Sequence, residues 1–209
     1  MRKIIRCIFV FCLLNSNLFS QSSFQTWPTI ALSGKLQNDL EIKFKYRNKY
    51  DHSENESSSS WFNMGLVYNY QKFNIGLFYR ELNKGKLSSR KTEKRPYFDL
   101  SYKINDNNRF RLRNSFRIIE GKNNIFRQRA RYLYSLRKWK KVRPFILNEI
   151  FLSKKKLDRN RVAFGSDFKI NKKINFKPSY IIEFFRDVDE MKIEWTNRSA
   201  LLLTLDIEI

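Results

Sequence analysis

The strongest constraint in this sequence is a rhythm of two. In Leu40-Glu41-Ile42-Lys43-Phe44-Lys45-Tyr46-Arg47 every even position is apolar or aromatic and every odd position is charged. Successive side chains of an extended strand point to opposite faces, so this segment has one apolar face and one charged face. Arg109-Phe110-Arg111-Leu112-Arg113 repeats the pattern, with Phe116 and Ile118 continuing its apolar face, Arg117 its polar face, and Asn114 the one exception.

The alternation runs, with lapses, through ten segments, roughly 38–49, 61–70, 72–81, 96–104, 109–119, 125–137, 142–152, 159–169, 174–185 and 197–209. Their length discriminates. A strand of a soluble protein has about 5–6 residues, whereas a tilted strand crossing a bilayer needs about 9–11. The pattern predicts an all-β fold, an antiparallel up-and-down transmembrane β-barrel of 10 to 12 strands with a polar, Arg-rich lumen, an even number being preferred. Residues 28–36 either add a strand through the turn Gln37-Asn38-Asp39 or lie across the lumen.

The connections alternate too. Short turns at Gln71-Lys72, Asn105 to Asn108, Arg137 to Lys141 and Asn171 to Lys173 interleave with longer hydrophilic loops at Asp51 to Ser60, Leu82 to Arg95, Ser153 to Asp158 and Arg186 to Glu194; Glu120 to Asn124 is the short member of that set. Outer-membrane barrels have short periplasmic turns and longer external loops, which places the Ser-rich segment 51–60 outside.

The first twenty residues have the form of a secretory signal peptide: a basic start at Arg2, Lys3 and Arg6, an apolar run from Cys7 to Leu14, and a polar stretch ending in the small Ser20. The apolar run is well short of the roughly 20 residues of a membrane helix. Cleavage between Ser20 and Gln21 leaves 21–209 as one outer-membrane barrel domain. Both cysteines, Cys7 and Cys12, lie in the removed segment, which excludes disulfides, thiolate nucleophiles and cysteine metal sites from the mature chain. No cofactor is expected.

The C-terminus places Leu201, Leu203, Leu205, Ile207 and Ile209 on one face against Leu202, Thr204, Asp206 and Glu208 on the other. This resembles the terminal strand read by the outer-membrane assembly machinery, departing from it in ending on Ile209 where an aromatic residue is usual. As an edge of a soluble sandwich, so long an apolar strand would invite aggregation. The expected partners are therefore outer-membrane lipid and that machinery, and the expected location is the cell outer membrane of a Gram-negative bacterium. Trp61 and Trp195 at outer strand ends, Tyr68 and Tyr70 at an inner end, and Trp139 in a turn fit interfacial aromatic girdles.

The formal charge of +22 raises nucleic acid as a partner. Here, however, the arginines alternate strictly with Phe, Leu and Tyr and form no single patch, and the chain reads as exported, so no nucleic acid is expected. With 16% aromatic residues, only 6 Gly and only 4 Pro, the chain is not a disordered basic tail either. The basic residues fall on the inward parity: Lys43, Lys45, Arg47, Arg80, Arg109, Arg111, Arg113, Arg117, Arg127, Arg129, Arg131, Arg143, Arg159 and Arg161. Glu41, Asp99, Glu149, Asp167 and Glu183 share that parity. A barrel of this size has an interior that side chains can largely fill. The first expectation is an ion-paired lumen, and the alternative is a narrow anion-preferring pore lined by Arg.

An outer-membrane hydrolase is the more distant alternative. His52 is the single histidine, beside Asp51 and near Ser57 to Ser60, in a segment that reads as a solvated loop. No phosphate-cradling glycine loop, metal-spaced His/Cys cluster or nucleophile elbow accompanies it, and pairing with arginine accounts for Glu149 and Glu183.

A set of dispersed motifs resembles the bacterial exported family catalogued as domain of unknown function 2490. These are Trp27, the Leu40 to Arg47 strand with its aromatic-Arg end, the Arg-rich stretch Arg109 to Arg131, Arg143-Pro144-Phe145 followed by Glu149-Ile150-Phe151, then Arg159-x-Arg161, Gly165 and the alternating C-terminus. The resemblance covers essentially the whole mature chain. It implies an outer-membrane barrel with no assigned activity.

Overall fold

The computed structural model describes residues 23–85, 91–121, 123–153, 156–189 and 192–209. The expected signal peptide lies outside the described residues. Eleven strands succeed one another: β1 Phe24–Lys35, β2 Leu40–Asp51, β3 Glu56–Tyr70, β4 Phe73–Lys84, β5 Lys91–Lys103, β6 Asn108–Ile119, β7 Ile125–Ser135, β8 Val142–Ser153, β9 Lys156–Lys169, β10 Ile174–Asp189 and β11 Lys192–Glu208. Each pairs antiparallel with the next, and β1 closes on β11 in parallel to complete a barrel. Closure leaves each of these strands paired on both sides, so among the described residues no sheet edge is free to recruit another chain.

The strand count is odd, against the even number preferred from sequence. The additional strand is β1, which enters through the turn after Lys35 and pairs with β2 from Lys35↔Glu41 to Gln25↔Asp51. Residues 28–36 therefore belong to the wall, not to a segment lying across the lumen. With an odd number of up-and-down strands the first and last run in the same direction, which makes the β1–β11 seam parallel.

The longer loops expected from sequence are also corrected. The ladder continues into them: β2 and β3 pair as far as Asp51↔Glu56, β4 and β5 from Leu82↔Glu93 to Lys84↔Lys91, β8 and β9 to Ser153↔Lys156, and β10 and β11 to Asp189↔Lys192. Backbone hydrogen bonding does not require apolar side chains, so strands persist where alternation has stopped. Two bulges lie in these extensions. One leaves Ser58 unpaired opposite Lys49 and Tyr50, and the other leaves Asp158 unpaired opposite Phe151 and Leu152. Each inserts an extra residue and resets the in–out parity of the strand beyond it.

The two faces of the wall differ sharply. Outside, Phe62, Met64, Leu66, Tyr68 and Tyr70 of β3 stand exposed, and so do Phe73, Ile75 and Leu77 of β4, with Leu77 at 66%. Asn114, the exception in the β6 pattern, accepts from Gln128 Nε2 at 3.0 Å, and Asn148 Nδ2 donates to Asn160 Oδ1 at 2.9 Å, so these outward polar groups satisfy one another. Inside, Trp27 at 0% exposure packs with Leu147, Ala163, Ile181 and Ala200, with Leu133, Phe145 and Leu202 against them. Gly65 makes room for Phe78: a Cβ there would lie 2.2 Å from the Leu77 carbonyl oxygen and 2.3 Å from the Phe78 ring. Phe78 in turn stacks on Tyr97 at 4.9 Å between centroids.

Candidate functional site in the barrel lumen

The register aligns inward side chains of neighbouring strands into lateral rows. One runs across β6 to β11 as Arg111, Arg131, Glu149, Arg161, Glu183 and Arg198, each paired directly with the next. Glu149, 3% exposed, receives Arg161 Nη1 on Oε2 at 2.8 Å, while Arg129, Arg131 and Arg111 approach its Oε1 at 3.5, 3.5 and 3.6 Å. Glu183, 1% exposed, receives Arg159 Nη1 at 2.9 Å and contacts Arg161 and Arg198. Arg161 thus joins the two carboxylates. Burial of either charge is tolerable only because several donors saturate its oxygens.

A second cluster lies across β5 and β6. Arg113 binds Asp99 through Nε to Oδ1 and Nη2 to Oδ2, both at 2.6 Å, with Arg111 3.8 Å away. Nearer the rim opposite the β5–β6 turn, Glu93 at 1% exposure gathers Lys84 at 2.8 Å, Arg117 Nε at 2.9 Å and Arg95. Arg127 pairs with Asp158. Glu93 and Asp158 fall in segments that read from sequence as loops, which hides both of them. Parity carried backward along β5 from Asp99 reaches Glu93, whereas Asp158 is a bulge residue that parity cannot place.

Aromatic rings separate the cations. Trp61 is buried at 6%, facing the lumen, which corrects its expected place in an outer girdle; the outward neighbour is Phe62. The Arg47 guanidinium lies between Trp27 and Trp61, 5.4 and 5.0 Å from their centroids, and its Nε donates to Thr29 Oγ1 at 2.9 Å. Arg80 lies 4.1 Å from the Trp61 ring, Arg113 3.7 Å from Tyr97, and Lys49 3.9 Å from Trp27. Phe151 carries Arg127 and Arg161 at 4.7 and 5.1 Å. A desolvated cation over a ring face gains about 2 kcal/mol, so the rings partly compensate charges that lack a carboxylate.

The remaining expected residues sit toward the turn end. Asp167 lies 3.5 Å from Lys177, which also contacts Asp206. Arg143 reaches the β5–β6 turn instead of a carboxylate, contacting the Asp106 carbonyl and donating to Asn107 Oδ1 at 3.1 Å. Arg109 is exposed and has no carboxylate within ion-pair distance among the described residues. In that turn, the hydrogen bond from Lys103 holds the Asp106 carboxyl below its usual range. Leu201, Leu203, Leu205, Ile207 and Ile209 lie along β11 on the parity opposite to the lumen-facing Arg198, Ala200 and Thr204.

At the opposite rim, the His52 ring meets Thr26 Oγ1 at 2.7 Å, stacks on Phe24 at 5.3 Å and has the Tyr50 edge at 5.1 Å. The Asp51 carboxylate is taken by Gln25 Nε2 at 2.6 Å and Ser53 Oγ at 2.5 Å, and Ser57 Oγ donates to Asn48. These groups are thus engaged with partners other than one another. Among the described residues no group of three or more His, Cys, Asp or Glu side chains is placed to hold a metal ion.

The family described as "Protein of unknown function (DUF2490)" matches residues 24–193. No curated protein matches the chain. Among solved structures, similarity extends to an anion-selective porin from Comamonas acidovorans, with a TM-score of 0.40 and 9% identity over 78% of this chain and 55% of that one. It also extends to outer-membrane expressed OmpT of Vibrio cholerae, with a TM-score of 0.40 and 9% identity over 77% of this chain and 61% of that one. The chain spans less than two thirds of the length of either.

Proposed function

Because the chain belongs to the DUF2490 family, described only as of unknown function, its role must come from its own geometry, and we propose an integral outer-membrane barrel whose lumen is closed by its own side chains. Its role is structural or surface-interacting. The observation that carries this reading is the division of the wall into an apolar exterior and a charged, aromatic-packed interior. On β3 the outward run Phe62 to Tyr70 covers eight residue steps, roughly 26 Å along the strand at 3.3 Å per residue. At a tilt near 40° this is roughly 20 Å along the barrel axis, close to the height of a lipid-facing band. So large an apolar surface in water would drive association. In lipid it is the expected face.

Closure of the lumen is supported by the Glu149–Arg161–Glu183 chain, the Arg113–Asp99 pair and the apolar cluster around Trp27. The mature chain, without residues 1–20, would reach the outer membrane through the assembly machinery, with Leu201 to Ile209 as the strand it reads. In cell fractionation the protein is expected with the outer membrane, and unheated samples should migrate differently on gels from heated ones. Recovery as a soluble periplasmic protein would refute the reading.

A narrow anion-preferring passage is the second reading. It is favoured by Lys45, Arg47, Lys49 and Arg80, which face inward with no carboxylate within ion-pair distance among the described residues.

A further inference from the structure

We propose that the turn end of the barrel carries a binding site for a phosphate-type oxyanion, organised by Arg109 and Arg143. A cavity of about 270 Å³ opens there, between the β5–β6 turn and the adjoining ends of β6 to β10. At roughly 30 Å³ per molecule of liquid water, it has room for roughly nine waters. A tetrahedral oxyanion fits with part of its hydration shell.

The lining is predominantly cationic: Lys103, Arg109, Arg131, Arg143 and Lys177 face it, against the carboxylates of Asp106 and Asp167. Three of these cations are engaged. Lys103 Nζ lies 2.7 Å from Asp106 Oδ1, Lys177 is shared between Asp167 and Asp206, and Arg131 Nε lies 3.5 Å from Glu149. Arg109 and Arg143 are different, with no carboxylate within ion-pair distance among the described residues. The contacts of Arg143 with Asp106 and Asn107 fix its guanidinium against the turn. A planar guanidinium whose orientation is already fixed suits oxyanion recognition, because little further ordering is needed when the ligand arrives.

The apolar part of the site's lining, Leu133 and Phe145, packs against the buried cluster of Trp27, Leu147, Ala163, Ile181 and Ala200. An anion entering from the turn end therefore meets hydrocarbon on one side and, on the other, Arg131, which is already drawn to Glu149. Low-dielectric walls around an excess of one sign concentrate counter-ions. That this end faces the periplasm rests on the proposed membrane placement; the site itself does not.

The test is calorimetric titration of the refolded 21–209 chain in detergent with inorganic phosphate at low salt. Saturable binding that weakens as salt rises is expected, with affinity at least tenfold lower in Arg109→Gln/Arg143→Gln. Lys91→Gln, which removes an exposed charge at the opposite mouth, should bind as the unaltered protein does. Heat-modifiable gel migration establishes that each variant is folded, and Arg109→Gln alone, at an exposed position, gives a reading if the double variant does not refold. Repeating the titration in bilayer discs separates the sources. Inhibition by phosphatidylglycerol, absent with phosphatidylcholine, assigns the site to a lipid headgroup; equal binding in both assigns it to a soluble oxyanion. Absence of phosphate binding, unchanged affinity in folded Arg109→Gln/Arg143→Gln, or equal weakening in Lys91→Gln would overturn the proposal.

Discussion

Arg113 and Asp99 face each other across β5 and β6 as a two-pronged pair, with both bonds at 2.6 Å and both side chains buried. Two parallel charge-assisted bonds hold the guanidinium in one plane. The Tyr97 ring, 3.7 Å from it by centroid, covers one of its faces. Removing the carboxylate strands a buried cation, so Asp99→Ala is expected to cost about 3–5 kcal/mol. Urea unfolding of the refolded protein in micelles measures this, and an unshifted midpoint would show that Arg113 has another anion or reaches water.

Glu149 and Glu183 share Arg161. Residues joined through one partner do not contribute independently, so the two single Glu→Gln changes and the double change should depart from additivity by about 0.5–3 kcal/mol. The same unfolding assay run as a double-mutant cycle reads this. Strict additivity would mean that the two carboxylates belong to separate clusters.

Leu77 lies outside on β4, 66% exposed and between the outward Leu66 and Phe98 of its neighbours. If lipid covers that surface, Leu77→Arg destabilises the folded barrel in bilayers by about 2–4 kcal/mol, as a charge near the midplane should. On a water-facing surface the same change would be close to neutral. Refolding equilibria in phospholipid vesicles distinguish the two.

Much of the wall was legible because alternation has a single structural meaning: Leu40 to Arg47 and Arg109 to Arg113 state directly which side chains point in. Legibility ended where the apolar band ends. Ser59 and Ser60 pair with Lys49 and Asn48 without any hydrophobic signal, and Lys91 to Lys94 extend β5 through a stretch rich in charge. Glu93 was hidden by that extension and Asp158 by a bulge. Trp61 is ambiguous for another reason: a Trp near a strand end suits either a membrane interface or a cation partner in the lumen. Its register opposite Arg47 selects the second. The central position of Trp27 required the β1–β11 seam, a pairing between the two ends of the barrel that no local pattern encodes.

Closure of the lumen is most directly tested by electrical recording of the refolded protein in planar bilayers. The unaltered barrel is predicted to be silent. Trp27→Ala, which removes the most deeply buried ring from the cluster beneath Arg47 and Arg161, is predicted to admit current if the barrel stays folded. Stepwise, anion-selective conductance from the unaltered protein would contradict a closed lumen and establish a passage lined by arginine.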